Sequence, residues 1–131
     1  MRLTRFTDNA LRCLMYLGRN SDRVVTVGEV SRRMAMSEDH LLKVVRRLVE
    51  LGYVRTLRGR RGGVQLNKSA TEIVIGDVVR NTEDNLSLVP CFAPGDKSCP
   101  LAPECRLADL MDAALGGFFA ALQSRTLADL L

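Results

Sequence analysis

The order of elements written into residues 26–66 constrains this chain most. Val30 and Met34 lie four apart, the spacing of one helical face, and Ala35-Met36 follows as a tight turn. Ser37 then stands where a helix N-cap is expected, with Glu38 and Asp39 in a first turn whose dipole favours acids. Leu41, Leu42, Val45, Leu48 and Val49 recur at helical spacing, and Gly52 suits a C-terminal stop. The period then changes. Tyr53-Val54-Arg55-Thr56-Leu57-Arg58 and Val64-Gln65-Leu66 flank the turn Gly59-Arg60-Arg61-Gly62-Gly63, which predicts a β-hairpin. A short helix, a turn, a longer helix and an immediate hairpin make a winged helix-turn-helix.

The flanks fit around that unit. Thr4 or Thr7 can cap a first helix reaching about Arg19, with Leu11, Leu14, Met15 and Gly18 at helical spacing. Val24-Val25-Thr26-Val27 is a β-branched run, either a brief strand or the lead into the next helix. Residues 71–82 predict a short extended piece and then a helix from near Gly76-Asp77. The stretch from residue 85 to Cys105 holds all four prolines and three of the four cysteines, and long irregular loops of this kind are usually functional or disordered. From Glu104 on, Leu107, Leu110, Met111, Ala114, Leu115, Phe118 and Leu122 mark a long amphipathic helix. The expected fold is mainly α. Residues 1–82 form the winged helix-turn-helix with its two-stranded wing, 83–104 a cysteine loop, and 105–131 a long C-terminal helix and tail.

Hydrophobic residues make up 47 % of the chain, which argues against disorder. No run reaches the roughly 18 apolar residues of a membrane span. The N-terminus carries charges without a following apolar signal core, so a cytoplasmic location with no membrane partner is expected. Charge is divided unevenly. Residues 1–68 hold 15 Lys/Arg against 6 Asp/Glu, a balance of +9, and residues 69–131 hold 4 against 9, a balance of −5. A basic half of this kind meets the electrostatic requirement of nucleic-acid binding. The longer helix would present Ser37, Glu38, Asp39, His40, Lys43, Arg46 and Arg47, with N-terminal residues reaching base edges and later basic ones lying near phosphates. The wing tip adds Arg58, Arg60 and Arg61, suited to a minor groove or to the backbone of double-stranded DNA. His40, the sole histidine, is expected to be exposed, with no role beyond DNA contact.

Cys91, Cys99 and Cys105 form a C-x7-C-x5-C pattern, while Cys13 sits apart in the first helix as a small apolar residue. Three clustered cysteines point to a metal or redox centre rather than structural disulfides. Thiolates select zinc, copper(I) or iron–sulfur clusters, and spacing alone does not separate these. A cluster normally takes four protein ligands, so one further group is needed. A structural zinc module and a thiol redox protein stay open as alternatives. An enzyme is not expected, since no acid/base pair, Cys-x-x-Cys or nucleotide loop is present.

The chain resembles the BadM/Rrf-type winged-helix transcriptional regulators. The residues that carry the likeness are Met1-Arg2-Leu3-Thr4-Arg5-Phe6-Thr7-Asp8, Leu51-Gly52-Tyr53-Val54, Arg58-Gly59-Arg60-Arg61-Gly62-Gly63-Val64-Gln65-Leu66, Ile75-Gly76-Asp77-Val78-Val79-Arg80 and the cysteine loop. The resemblance implies a repressor acting as a homodimer on a pseudo-palindromic operator, with the C-terminal helix as dimerisation element. It implies an iron–sulfur cluster held by Cys91, Cys99 and Cys105. In one branch a histidine lies two residues after the third cysteine. Leu107 stands there, which argues against a two-iron, two-sulfur cluster and leaves it as the alternative. Phe6-Thr7-Asp8 and Leu86-Ser87-Leu88-Val89 resemble the nitric-oxide-sensing branch, which implies a four-iron, four-sulfur cluster with Asp8 of the partner subunit as fourth ligand. The seven-residue gap after Cys91 is closer to an iron-responsive branch and keeps an iron- or redox-responsive regulator as the alternative.

Overall fold

The computed structural model describes residues 2–95 and 98–131. Met1, at the head of the matched N-terminal motif, and Asp96 and Lys97, inside the cysteine loop, lie outside the described residues. Helix α1 (Arg5–Arg19) starts at Thr4, whose hydroxyl accepts from the Thr7 backbone N–H at 3.2 Å. Its inward stripe is Ala10, Cys13, Leu14 and Leu17, while Leu11 and Met15 are only partly buried. Cys13 is fully enclosed, and burial pushes its thiol up to about 12, so it is unreactive near neutrality.

Helix α2 (Val27–Met34) is capped by Thr26, which accepts from the Glu29 N–H at 3.1 Å. Arg23 and the Tyr16 hydroxyl both donate to the Glu29 carboxylate, holding it down to about 2 and bracing α2 against α1. Ala35 adopts a left-handed conformation, φ 51°, to make the turn, and the Ser31 hydroxyl closes it by donating to the Met36 carbonyl at 2.7 Å. Helix α3 (Glu38–Glu50) buries Leu41, Val44, Val45 and Leu48. This corrects the expected stripe. Residues turn about 100° per step on a helix, so Leu42 and Val49 rotate off the face shared by Leu41 and Leu48, and Val44 takes their place. Both are exposed.

Gly52, at φ +75°, ends α3. Strands β1 (Val54–Leu57) and β2 (Gly63–Leu66) pair antiparallel from Val54↔Leu66 to Leu57↔Gly63, as the hairpin pattern predicts. The run at Val24–Val27 contributes one bridge, Val25↔Val64, with N–H···O distances of 3.0 and 2.7 Å. This close approach requires glycine beside it, because a Cβ at Gly63 would lie 2.4 Å from the Val25 carbonyl oxygen.

A single 3-10 turn over Ala70–Glu72 precedes the expected extended piece, which is Ile73 and Val74: both have extended backbone, Ile73 is buried, and Val74 bridges antiparallel to Thr126. Helix α4 (Ile75–Thr82) packs on α5 (Arg106–Gln123), where the Arg80 guanidinium stacks 4.0 Å from the Phe119 ring centre. Phe119 is the only buried residue of α5 among the described residues. The last residues then turn back. The Leu127 N–H donates to the Ile73 carbonyl at 2.8 Å, the Ile75 N–H to the Arg125 carbonyl at 2.9 Å, and the Leu127 side chain is wholly enclosed. Thr126 and Asp129 form a reciprocal capping box over this final turn. The tail thereby completes the core around α1 and residues 70–75. No helix among the described residues is long and apolar enough to cross a membrane.

Candidate nucleic-acid interface and cysteine site

The face of α3 opposite its buried stripe carries Asp39, Leu42, Lys43 and Arg46, all exposed. Neither Lys43 nor Arg46 enters an ion pair among the described residues, so both charges are available to a ligand. Ser37 occupies the N-cap position but makes no side-chain cap bond, leaving its hydroxyl and the first N–H groups of the helix for other partners. The Glu38 carboxylate is turned toward α2, 3.7 Å from where a Cβ on Gly28 would lie.

Two expected members of this face sit on its flank. Arg47 donates to the Asn81 carbonyl at 3.2 Å and pairs with Glu50 at 3.4 Å, so it links α3 to α4. His40 is partly buried, its ring edge-on to Phe6 at 5.9 Å between centres, and its Nε2 is enclosed with no hydrogen-bond partner. The expectation of an exposed histidine is therefore corrected. Helical rotation places residue 40 toward α1, where Phe6 covers it.

At the wing tip Arg58, Arg60 and Arg61 are exposed and enter no ion pair among the described residues. Gly59 takes φ +106°, and a Cβ at Gly62 would lie 2.4 Å from the Leu57 carbonyl oxygen, so the tight loop depends on both glycines. Cross-strand bonding of Arg55 to Gln65 at 3.0 Å and of Gln65 to the Ser21 carbonyl at 3.2 Å fixes the hairpin from which the arginines project.

The cysteine segment runs from α4 to α5. Cys91 lies in the 3-10 turn Pro90–Phe92, and Cys105 is the N-cap of α5, its carbonyl accepting from Ala108 at 3.0 Å. Cys91, Cys99 and Cys105 are free and partly buried. Among the described residues no three His, Cys, Asp or Glu side chains are drawn together into a metal-holding group. The donor chemistry itself fits a thiolate-bound metal or iron–sulfur cluster, with three unbridged thiols on one segment. Asp8 is exposed on the first turn of α1, where its nearest cation is Arg12 at 3.6 Å.

One contact had no sequence signal. Glu83 accepts from the Thr4 N–H at 2.8 Å and from the Thr4 hydroxyl at 3.1 Å, across 79 positions of the chain. It joins the start of α1 to the entrance of the cysteine segment. Leu42 on the outward face was also missed, although its rotation relative to Val44 was available from helical geometry alone.

A helix-turn-helix with an arginine-tipped wing defines a DNA-binding transcriptional regulator. The chain belongs to the Rrf2 family, whose model, described as an iron-dependent transcriptional regulator, matches residues 3–131. It is 47 % identical over its full length to the HTH-type transcriptional regulator NsrR of Geobacillus kaustophilus, covering 90 % of that protein. It is 39 % identical over its full length to the Bacillus subtilis regulator of the same name, again covering 90 %. Among solved structures, T. potens IscR matches with a TM-score of 0.80 at 20 % identity, over 99 % of this chain and 85 % of that one. CymR, the global cysteine regulator of B. subtilis, matches at 0.80 and 22 % identity, over 99 % and 95 %. These likenesses establish the winged-helix fold. The relatives are transcriptional regulators, not enzymes.

Proposed function

We propose that the chain is an iron–sulfur-dependent repressor that binds a pseudo-palindromic operator as a homodimer and is controlled by nitric oxide. One observation carries this reading. The three free thiols end at Cys105, the cap of a helix whose apolar residues Leu107 and Leu110 are 55 % and 61 % exposed. Exposed apolar side chains of this size call for a partner, and a second copy laid along α5 supplies one. The thiol segment would then lie beside the subunit boundary.

Cys91, Cys99 and Cys105 would hold the cluster, with Asp8 of the partner subunit as fourth ligand. When bound, the group supplies iron that reacts with nitric oxide. The chain's own residues provide the transmission. Cys105 stands at the N-cap position of α5, its carbonyl accepting from Ala108, so a change in how its thiol is held would act on the backbone that starts that helix. At the other end of the segment, Glu83 is bonded to Thr4 and so to the start of α1. A segment anchored at both ends to these elements can alter how far apart two α3 helices stand, and two-fold DNA recognition is sensitive to that spacing. An effector acts only by stabilising one arrangement over another.

An iron-responsive regulator is the second reading, favoured by the seven-residue gap between Cys91 and Cys99. Anaerobically purified protein is expected to carry iron and acid-labile sulfide in equal amounts and a visible absorption band, both abolished on replacing Cys91, Cys99 and Cys105 with serine. A colourless protein containing only zinc would contradict both cluster readings.

A further inference from the structure

We propose that Leu42 reads a thymine methyl group in the major groove and is a specificity-determining residue of α3. The inference rests on the duplex-binding reading above. Leu42 is 49 % exposed on the outward face of α3, five residues into the helix, in the half of a reading helix that reaches base edges. It takes no part in the hydrophobic core, where Leu41, Val44, Val45 and Leu48 fill the inward face. Asp39 and Arg46 lie one turn before and after it, and Lys43 lies beside it.

That setting selects the partner. A broad apolar protein surface would have to bury Asp39, Lys43 and Arg46 along with Leu42, and unpaired buried charges are costly. A DNA groove places phosphates beside Lys43 and Arg46 and leaves one apolar group for Leu42. The C5-methyl of thymine is the only such group that base edges present in the major groove. The basic neighbours bring the helix to any duplex, and Leu42 discriminates among duplexes.

The test uses a duplex enriched from a randomised library by the full-length wild-type protein, with each thymine replaced in turn by deoxyuridine. That change removes a methyl group and nothing else. In the wild type, one symmetry-related thymine per half-site is expected to be sensitive, with roughly fourfold to tenfold weaker binding, the size expected when one or two methyl groups are no longer buried. Leu42→Ala should bind the parent duplex more weakly by a similar factor and be indifferent to that deoxyuridine. Its binding to unselected duplex, its salt dependence and its melting temperature should match the wild type, because Leu42 lies outside the core. Leu42→Met should keep the methyl sensitivity.

A flat deoxyuridine scan in the wild type, undiminished sensitivity in Leu42→Ala, or wild-type affinity in Leu42→Ala would each overturn the proposal while leaving the duplex-binding reading intact. A flat scan together with a changed oligomeric state of Leu42→Ala would also overturn it and would assign Leu42 to a protein contact. Failure to enrich any duplex would contradict the duplex-binding reading itself and Leu42's role with it.

Discussion

Replacing Arg58, Arg60 and Arg61 together with alanine is expected to weaken duplex binding by roughly a hundredfold and to leave folding untouched. The three guanidinium groups project from a four-residue stretch at the wing tip and enter no ion pair among the described residues, so a polyanion meets them uncompensated. An arginine set against a base or in a narrow groove contributes on the order of 1 kcal/mol or more, and three together about 3 kcal/mol. The slope of affinity against salt should fall by about one for each phosphate left without its arginine. Lysine at all three positions should restore most of that slope and less of the affinity, since lysine supplies charge without the planar fork of arginine. The wing's register rests on the β1–β2 pairing and the Val25↔Val64 bridge, not on these side chains, so the thermal midpoint should hold. Fluorescence anisotropy with a labelled duplex over a salt series measures both quantities. Affinity within about threefold of wild type would remove the wing from the interface.

Leu127→Ala is expected to be the most damaging single change outside the α-helices, costing about 2–5 kcal/mol as a large-to-small substitution at a fully enclosed site. Leu127 sits near the end of the chain but inside the core, held by the Ile73 carbonyl at 2.8 Å and by the capping box of Thr126 and Asp129. Truncating it opens a cavity and loosens the pairing of residues 73–75 with 125–127 at the same time. Asp129→Asn should be milder, because it weakens the cap while leaving the core filled. The Thr126 N–H and hydroxyl hold the Asp129 carboxyl below its usual range, so the stability it contributes is present above the ordinary aspartate range and fades as pH falls through the lowered value. Denaturant unfolding of the two variants beside wild type checks the order. A destabilisation below about 1 kcal/mol for Leu127→Ala would mean the tail is not part of the folding unit.

Much of this architecture is readable from residue pattern. The bounds of α2 and α3 follow from Thr26, Ser37 and Gly52. The hairpin follows from the glycines of its turn, because backbone that tight admits little else. Local signals of this kind depend on neighbours in sequence. What stays hidden depends on neighbours in space. Leu41 and Leu42 are chemically alike, and only the rotation that buries Val44 separates a core residue from one facing solvent. His40 lies on the flank that Phe6 happens to cover. By pattern the residues after the long C-terminal helix are only a tail, yet Leu127 returns to Ile73 across 54 positions. The bond from Glu83 to Thr4 is equally non-local. For the cysteine site, spacing picks out three candidate donors, and among the described residues no three His, Cys, Asp or Glu side chains come together as a metal-holding group.

Whether the thiol segment sets the spacing of two DNA-reading helices is tested most directly by duplex affinity. Anaerobically purified wild type and Cys91→Ser are each measured on the enriched duplex before and after stoichiometric nitric oxide. Wild type should bind tightly and then release the duplex, whereas Cys91→Ser should bind weakly throughout and ignore nitric oxide. Equal affinity in all four samples would contradict the account and leave a DNA-binding protein whose thiols have no part in its control.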